Sequence, residues 1–125
     1  MSSIEQLADW GYVAAQYNIA KHYARENDME KAIYWWTQAA NQGDTESQAI
    51  LGDCYSLKND FKTAAFWRKK AASQGDPNAQ YELALQYFRG EGVEENASEG
   101  IRLMKEAVKN GHKVAKEAND AINKN

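Results

Sequence analysis

Four glycines at regular intervals divide this chain into units of nearly equal length. Gly11, Gly43, Gly75 and Gly111 each close a similar short phrase, and their spacings are 32, 32 and 36 residues. A period of this size is typical of stacked helical repeats, in which each unit buries its apolar face against its neighbours. The spacing therefore predicts a repeat protein whose function is to bind a partner at its surface, and not to catalyse a reaction in a central active site.

Small and aromatic residues recur at the same positions of each unit, on the faces of two predicted helices. In the first helix a small residue is followed three positions later by a tyrosine; these pairs are Ala20 and Tyr23, Gly52 and Tyr55, Ala84 and Tyr87. In the second helix an alanine recurs one turn after a large apolar residue; these pairs are Trp35 and Ala39, Trp67 and Ala71, Leu103 and Ala107. Such spacing lies on one side of a helix and predicts a buried stripe.

Capping residues mark where the helices begin. Asp28, Asp60 and Asn96 stand at one repeat position and can each accept a hydrogen bond from a free N–H of the second helix. Asn96 with Glu99 resembles a capping box. Each terminal glycine is expected to end its helix in the left-handed conformation. The resulting helices are expected near residues 3–10, 12–26, 29–42, 45–58, 61–74, 77–89, 97–110 and 113–123.

The predicted fold class is all-α, an α-solenoid of antiparallel helix pairs with about eight helices in a single domain. The two end helices carry short apolar stripes and are expected to cap the stack, because an open repeat would expose its apolar face. The predicted sections are an N-terminal cap at 1–11, repeats at 12–43, 44–75 and 76–111, and a C-terminal cap at 112–125.

Composition narrows the function classes. The net charge of −3 argues against a nucleic-acid partner, which needs a basic stripe. Basic residues do gather near the end, where acidic residues interrupt them as on a solvated helix face; they are Arg102, Lys105, Lys109, Lys113, Lys116 and Lys124. The lone Cys54 suits a reducing compartment, no secretory signal opens the chain, and no run is apolar enough for a membrane helix. We therefore expect a cytoplasmic protein with no membrane association.

Two segments carry a family resemblance. Lys31–Gly43, K-A-I-Y-W-W-T-Q-A-A-N-Q-G, resembles the second half of a Sel-1-like repeat, a relative of the tetratricopeptide repeat, and Ala79–Val93 resembles its first half. The likeness recurs three times over residues 11–111. Two features depart from the pattern: the glycine-rich turn occurs only once, at Gly90–Val93, and Leu103 and Met104 replace the usual aromatic pair.

The resemblance implies a right-handed superhelix whose members mostly act as adaptors that hold other proteins. Some relatives take part in bacterial signalling, others neutralise bacterial toxins as immunity proteins, and a cysteine-rich subset is linked to β-lactam binding or hydrolysis. The implied function is thus a protein-binding module, adaptor or immunity protein, with a bacterial toxin as one partner. A small hydrolase is the alternative, although the cysteines of that subset are absent here.

In such stacks the first helices line the concave face, and this pattern selects candidate partner-binding residues. They are Tyr17, Lys21, Arg25, Asp53, Leu57, Tyr81, Leu85, Phe88 and Arg89. Tyrosine, phenylalanine and arginine are types that dominate binding hot spots, so the groove is expected to accept an acidic or amphipathic peptide or a protein loop. Tyr17 and Tyr81 can equally be residues that pack against neighbouring helices. Arg25 and Arg89 can equally be solvated side chains with no partner to bind.

Trp36 aligns with Arg68 and Met104, so the sequence leaves both partial exposure and burial under the N-terminal helix open. No catalytic constellation stands out. His22 and Cys54 occupy equivalent positions of successive first helices, roughly 10 Å apart by ordinary helix packing, which is too far for proton transfer. We therefore expect no catalysis, no cofactor and no metal site.

Overall fold

The structure is a computed structural model that describes residues 2–123, and these residues form eight helices and no strand. The helices are α1 (Ser3–Asp9), α2 (Val13–Arg25), α3 (Met29–Asn41), α4 (Thr45–Leu57), α5 (Phe61–Ser73), α6 (Pro77–Arg89), α7 (Ala97–Lys109) and α8 (Lys113–Asn123). Every expected helix is present, with bounds that differ from the prediction by no more than one residue. The all-α class and the succession of helix pairs are confirmed.

The predicted N-caps of the second helices are present. The side chains of Asp28, Asp60 and Asn96 accept hydrogen bonds from the backbone N–H three residues later, at 3.1–3.2 Å. The capping box expected at Asn96 does not close, because the Glu99 carboxylate accepts from Arg102 instead. The Asn96 N–H donates to the Tyr87 carbonyl at 2.9 Å, so a backbone hydrogen bond joins the two helices of the third repeat.

The turns that end each unit depend on a left-handed backbone. Gly43 has a φ of 94°, and an added Cβ would meet nothing within 4 Å. The requirement for glycine at this position is therefore conformational and does not come from crowding. Within the first two units the turn between helices uses Asn27 and Asn59 at φ of 60° and 62°, which asparagine tolerates better than most residues.

The chain divides into two compact units, Met1–Leu51 and Gly52–Asn125, with the boundary inside α4. In the first unit α2 packs against α1 and α3, and Ala15 and Ile19 are buried with Tyr23 and Trp35 packed against them. In the second unit α6 packs against α5 and α7, and α7 packs against α8. The single domain expected from length stays a prediction.

The end helices bury less than their stripes predict. Ala8 on α1 and Ala115 on α8 are fully buried, whereas Ile4, Leu7, Val114 and Ile122 are exposed by 38% to 71%. The reason is that α1 packs mainly on α2, and α8 packs mainly on α7. Only the residue of each end helix that faces this neighbour is therefore buried. The described part of each end helix thus retains exposed apolar surface.

One glutamine per unit ties its first helix to the helix before it. The Nε2 groups of Gln16, Gln48 and Gln80 donate to backbone carbonyls eight residues earlier, at 3.0–3.1 Å, and all three side chains are buried. The acceptors lie in the last turns of α1, α3 and α5, where carbonyls lack helical partners. Recurrence at one repeat position was the sequence signal for this role, which the sequence interpretation did not assign.

Candidate protein-binding surfaces

In the first unit the predicted residues share one face of α2. Tyr17, Lys21 and Arg25 are spaced by four residues, and the Lys21 ammonium lies 5.4 Å from the centroid of the Tyr17 ring. Burial, then a hydrogen bond with Glu46 and the charges of Glu46 and Asp44, raise the pKa of Tyr17. Tyr17 and Lys21 are half-buried, and Arg25 is exposed.

In the compact unit Gly52–Asn125, Tyr81 packs against the start of α8. Its ring stacks on the imidazole of His112 with centroids 4.3 Å apart and planes inclined by 21°. The Nδ1 atom of His112 accepts from the Ala115 N–H at 3.1 Å and so caps α8. Packing against a neighbouring element, one of the two interpretations left open by the sequence, thus describes Tyr81.

Phe88 and Arg89 end α6 with an apolar and a cationic side chain. Phe88 is 36% exposed, and its ring covers Gly100 of α7, where an added Cβ would lie 2.7 Å from Cε1. Arg89 is exposed and forms an ion pair with Glu91 at 3.7 Å. Leu85, one turn earlier, is half-buried. These side chains give the end of α6 a mixed apolar and basic surface.

Asp53 and Leu57 lie in the part of α4 that belongs to the second unit. Leu57 is 86% exposed, the most exposed large apolar side chain among residues 2–123. The Asp53 carboxylate accepts from Arg68 Nη2 at 3.0 Å, and Arg68 Nη1 donates to Gln86 Oε1 at 3.0 Å. The side chain of Arg68 is only 5% exposed. The Asp53 carboxylate is therefore the counter-charge of the buried Arg68 guanidinium, and it is also exposed to solvent.

The buried Arg68 is a residue whose role the sequence interpretation missed. It stands where Trp36 and Met104 stand in the other repeats. Trp36 is buried at 5% exposure, so the partial exposure that the sequence left open is wrong. Gly52 makes room for the arginine, since an added Cβ would lie 2.7 Å from Arg68 Cγ. The sequence signal for a buried arginine was that only the second repeat has both a glycine at the position of Gly52 and an arginine at the position of Arg68.

The thiol of Cys54 is unsuited to nucleophilic chemistry. The side chain is buried, and burial, followed by the charge of Asp53, raises its pKa above the ordinary value. Reactive cysteines show the opposite shift, because the thiolate is the nucleophile. Within residues 2–123, no group of three His, Cys, Asp or Glu side chains could hold a metal ion, and no helix is long and apolar enough to cross a membrane.

The repeat matches a known family over most of the chain. The profile of the family described as Sel1 repeat matches residues 13–44, 45–76 and 77–112. These segments follow the glycine spacing and include both helices of each unit. A search of the curated proteins found no significant match.

Solved structures share the same architecture. A Sel1 repeat protein from Oxalobacter formigenes superposes with a TM-score of 0.83 at 29% identity, over 92% of each chain. The protective antigen c5321 of uropathogenic Escherichia coli, which displays an SLR fold, has a TM-score of 0.77 at 30% identity; the match covers 89% of this chain and 26% of that one. A Sel1 repeat protein from Klebsiella pneumoniae has a TM-score of 0.67 at 26% identity, over 91% of this chain and 56% of that one.

Proposed function

This chain belongs to the Sel1 repeat family, whose fold is generally a protein–protein interaction module, and we propose that it binds a partner protein through its first helices without catalysing a reaction. The observation that carries the proposal is a shared pattern on α2 and α6. Arg25 and Arg89 occupy equivalent positions, two turns after the half-buried Tyr17 and Tyr81, of which Tyr81 packs on His112. Both arginines are exposed, and aromatic and arginine side chains are frequent binding hot spots.

In the unit Gly52–Asn125 the end of α6 offers the most accessible candidate side chains, and Leu57 at the end of α4 is exposed as well. Leu57 and Phe88 offer exposed apolar area, and Arg89 offers a cation whose ion pair with Glu91 is solvent-exposed. Exposed ion pairs of this kind contribute only about 0–1 kcal/mol, so a carboxylate of the partner can replace Glu91 at little cost. An acidic or amphipathic peptide or loop fits this chemistry.

For the biological role we propose an adaptor or an immunity protein that neutralises a toxin. A chain of 125 residues with a net charge of −3 suits stoichiometric capture of a partner. A toxin gene directly beside the gene for this chain supports the immunity role. Co-expression separates the two roles directly: a captured partner that stops growth only when this chain is absent is a toxin, and a harmless partner indicates an adaptor.

The binding surface is tested by affinity capture from the native host with matched baits. We expect one protein to co-purify in fixed stoichiometry with the wild type and to be lost, by several-fold or more, with the Phe88→Ala, Arg89→Glu double variant. Circular dichroism must show unchanged helicity in this variant. Glu117→Ala, Asp120→Ala on α8 is the matched control. Equal capture by the wild type and the Phe88, Arg89 variant would contradict the proposed site.

A further inference from the structure

The exposed face of α5 is basic in a chain that is acidic overall. Lys62, Phe66, Lys69 and Lys70 are all exposed, and their spacing places them within an arc of about 100° on one side of the helix. No Asp or Glu occurs from Phe61 to Ser73, whereas the whole chain has a net charge of −3. A concentrated positive field of this kind attracts and orients acidic partners.

This face is more basic on α5 than at the equivalent positions of the other two repeats, and those of α7 are Ser98, Arg102, Lys105 and Glu106. The residues of α3 that occupy the positions of these four side chains include no lysine; they are Glu30, Tyr34, Thr37 and Gln38. Three of the four positions therefore change from acidic or neutral to cationic between the first and second repeats. The aromatic position is kept.

Phe66 is an exposed aromatic ring that is held in place. It is 52% exposed, and it packs edge-on against Trp67 with centroids 5.0 Å apart and planes inclined by 79°. The Lys70 ammonium lies 5.0 Å from the Phe66 centroid. An exposed ring beside a cation offers a partner both apolar area and a positive charge, and residues of this kind are frequent at binding hot spots.

A cleft within the unit Gly52–Asn125 shares Lys69 with this face, and Phe66 lies about one helical turn before Lys69. It has a volume of about 540 Å³ and lies among α5, α6 and α7, with Lys69 on one wall, Arg102 on the other, and Leu83 and Tyr87 from α6. A second depression of about 460 Å³ shares Lys69 and Tyr87. Helical geometry places Leu83 and Tyr87 on the side of α6 away from Leu85 and Arg89, so this cleft is separate from the surface proposed above.

Acidic side chains near the cleft select the kind of partner. Glu99 and Glu106 also line it, and Glu94 and Glu95 line the neighbouring depression. Glu99 is engaged by Arg102, whose hydrogen bond lowers the pKa of Glu99. A nucleic acid or an anionic membrane presents charge continuously and would face these carboxylates. A peptide can direct separate carboxylates to the lysines and an apolar side chain into the cleft.

We propose that the α5–α7 cleft docks an acidic segment of a partner protein, with carboxylates on Lys69 and Lys70 and an aromatic or large aliphatic side chain between Phe66 and the cleft. This surface goes beyond the first-helix site and does not depend on it. The partner contributes negative charge in discrete positions and one apolar anchor.

The test uses a fluorescein-labelled peptide of glutamate and aspartate residues with one central tryptophan, and fluorescence anisotropy at low salt with the full chain. We expect saturable binding that weakens about tenfold or more in the Phe66→Ala, Lys69→Glu, Lys70→Glu variant. Lys31→Glu, Lys58→Glu, two exposed lysines outside both proposed surfaces, is the matched charge control and should retain affinity within about threefold. The same peptide with glutamine and asparagine for its acids should bind at least about tenfold more weakly.

Amide-resolved NMR titration with the same peptide locates the site. Shifts concentrated in α5 and α7 support the proposal, and shifts concentrated in α2 or on the Leu85–Arg89 side of α6 overturn it. Arg89→Glu alone leaves the Phe88–Gly100 contact in place and should retain the shifts in α5 and α7, so any binding that it removes belongs to the first-helix surface. Absence of peptide binding, or tighter variant-sensitive binding of single-stranded DNA or phosphatidylserine vesicles, would also overturn it.

Discussion

The ring of Phe88 packs directly on Gly100, and an added Cβ at position 100 would lie 2.7 Å from the ring. The other repeats have small residues at both positions, with Ala32 and Ala64 at the position of Gly100 and Ala24 and Ser56 at the position of Phe88. The third repeat thus combines a large residue on its first helix with the loss of a Cβ on its second. Gly52 and Arg68 likewise pair a glycine with a long side chain in the second repeat.

The Phe88–Gly100 contact predicts a strong coupling in a double-mutant cycle. Gly100→Ala alone gains about 0.5–1 kcal/mol of helix propensity but overpacks the ring at a cost of about 1–3 kcal/mol, so we expect net destabilisation. In a Phe88→Ser background the ring is gone, and the same change should stabilise by about 0.5–1 kcal/mol. Urea denaturation of the four proteins measures both values. An identical effect of Gly100→Ala in the two backgrounds would mean that the coupling free energy between residues 88 and 100 is zero, and it would contradict the prediction.

The Asp53–Arg68 ion pair predicts unequal effects of removing its two partners. Asp53→Ala leaves a buried guanidinium without its counter-charge and should cost about 1–2 kcal/mol of unfolding free energy, a figure reduced because Asp53 is largely exposed. Arg68→Met, the residue at the equivalent position 104, removes the buried charge itself and should cost less. In the Arg68→Met background, Asp53→Ala should be nearly neutral. Thermal and urea unfolding test the order; a larger loss from Arg68→Met reverses the assignment.

The left-handed backbone at Gly43 predicts a penalty that depends on side-chain type and not on space. Gly43→Val should destabilise by about 1–2 kcal/mol because a branched side chain disfavours this conformation. Gly43→Asn is the matched control and should cost less, since asparagine tolerates positive φ. Equal losses from both substitutions, measured by urea denaturation, would point to steric contact where the structure has open space.

The raised pKa of Cys54 predicts a loss of stability at alkaline pH. Burial favours the neutral thiol, so the folded chain holds its proton at pH values where the unfolded chain, with an ordinary pKa of about 8.5, has released it. Stability from this source is complete below about pH 8.5 and decreases as pH rises toward the folded-state pKa. The unfolding free energy of the wild type should therefore fall more steeply than that of Cys54→Ala between neutral and alkaline pH. Parallel curves would contradict the shift.

Local sequence patterns were enough to predict the helices, their caps and the repeat. Asp28, Asp60 and Gly43 act on backbone groups within a few residues of themselves, and the helical period needs only neighbouring positions, so these features are local and could be predicted. The family resemblance rests on the same local pattern. All eight helix bounds followed from it to within one residue.

Which candidate side chains face solvent and which support a neighbouring helix depends on contacts between helices, and these contacts could not be predicted from the repeat pattern. Tyr81 stacks on His112, Phe88 covers Gly100, and Asp53 balances Arg68, so three predicted binding residues also hold elements that are 12 to 31 positions away in the chain. The α5–α7 cleft likewise joins Lys69 to Arg102. Repeat register aligns equivalent positions, but side-chain size varies from unit to unit. Exposure depends on the pair that meets across the helices, which one position alone does not specify.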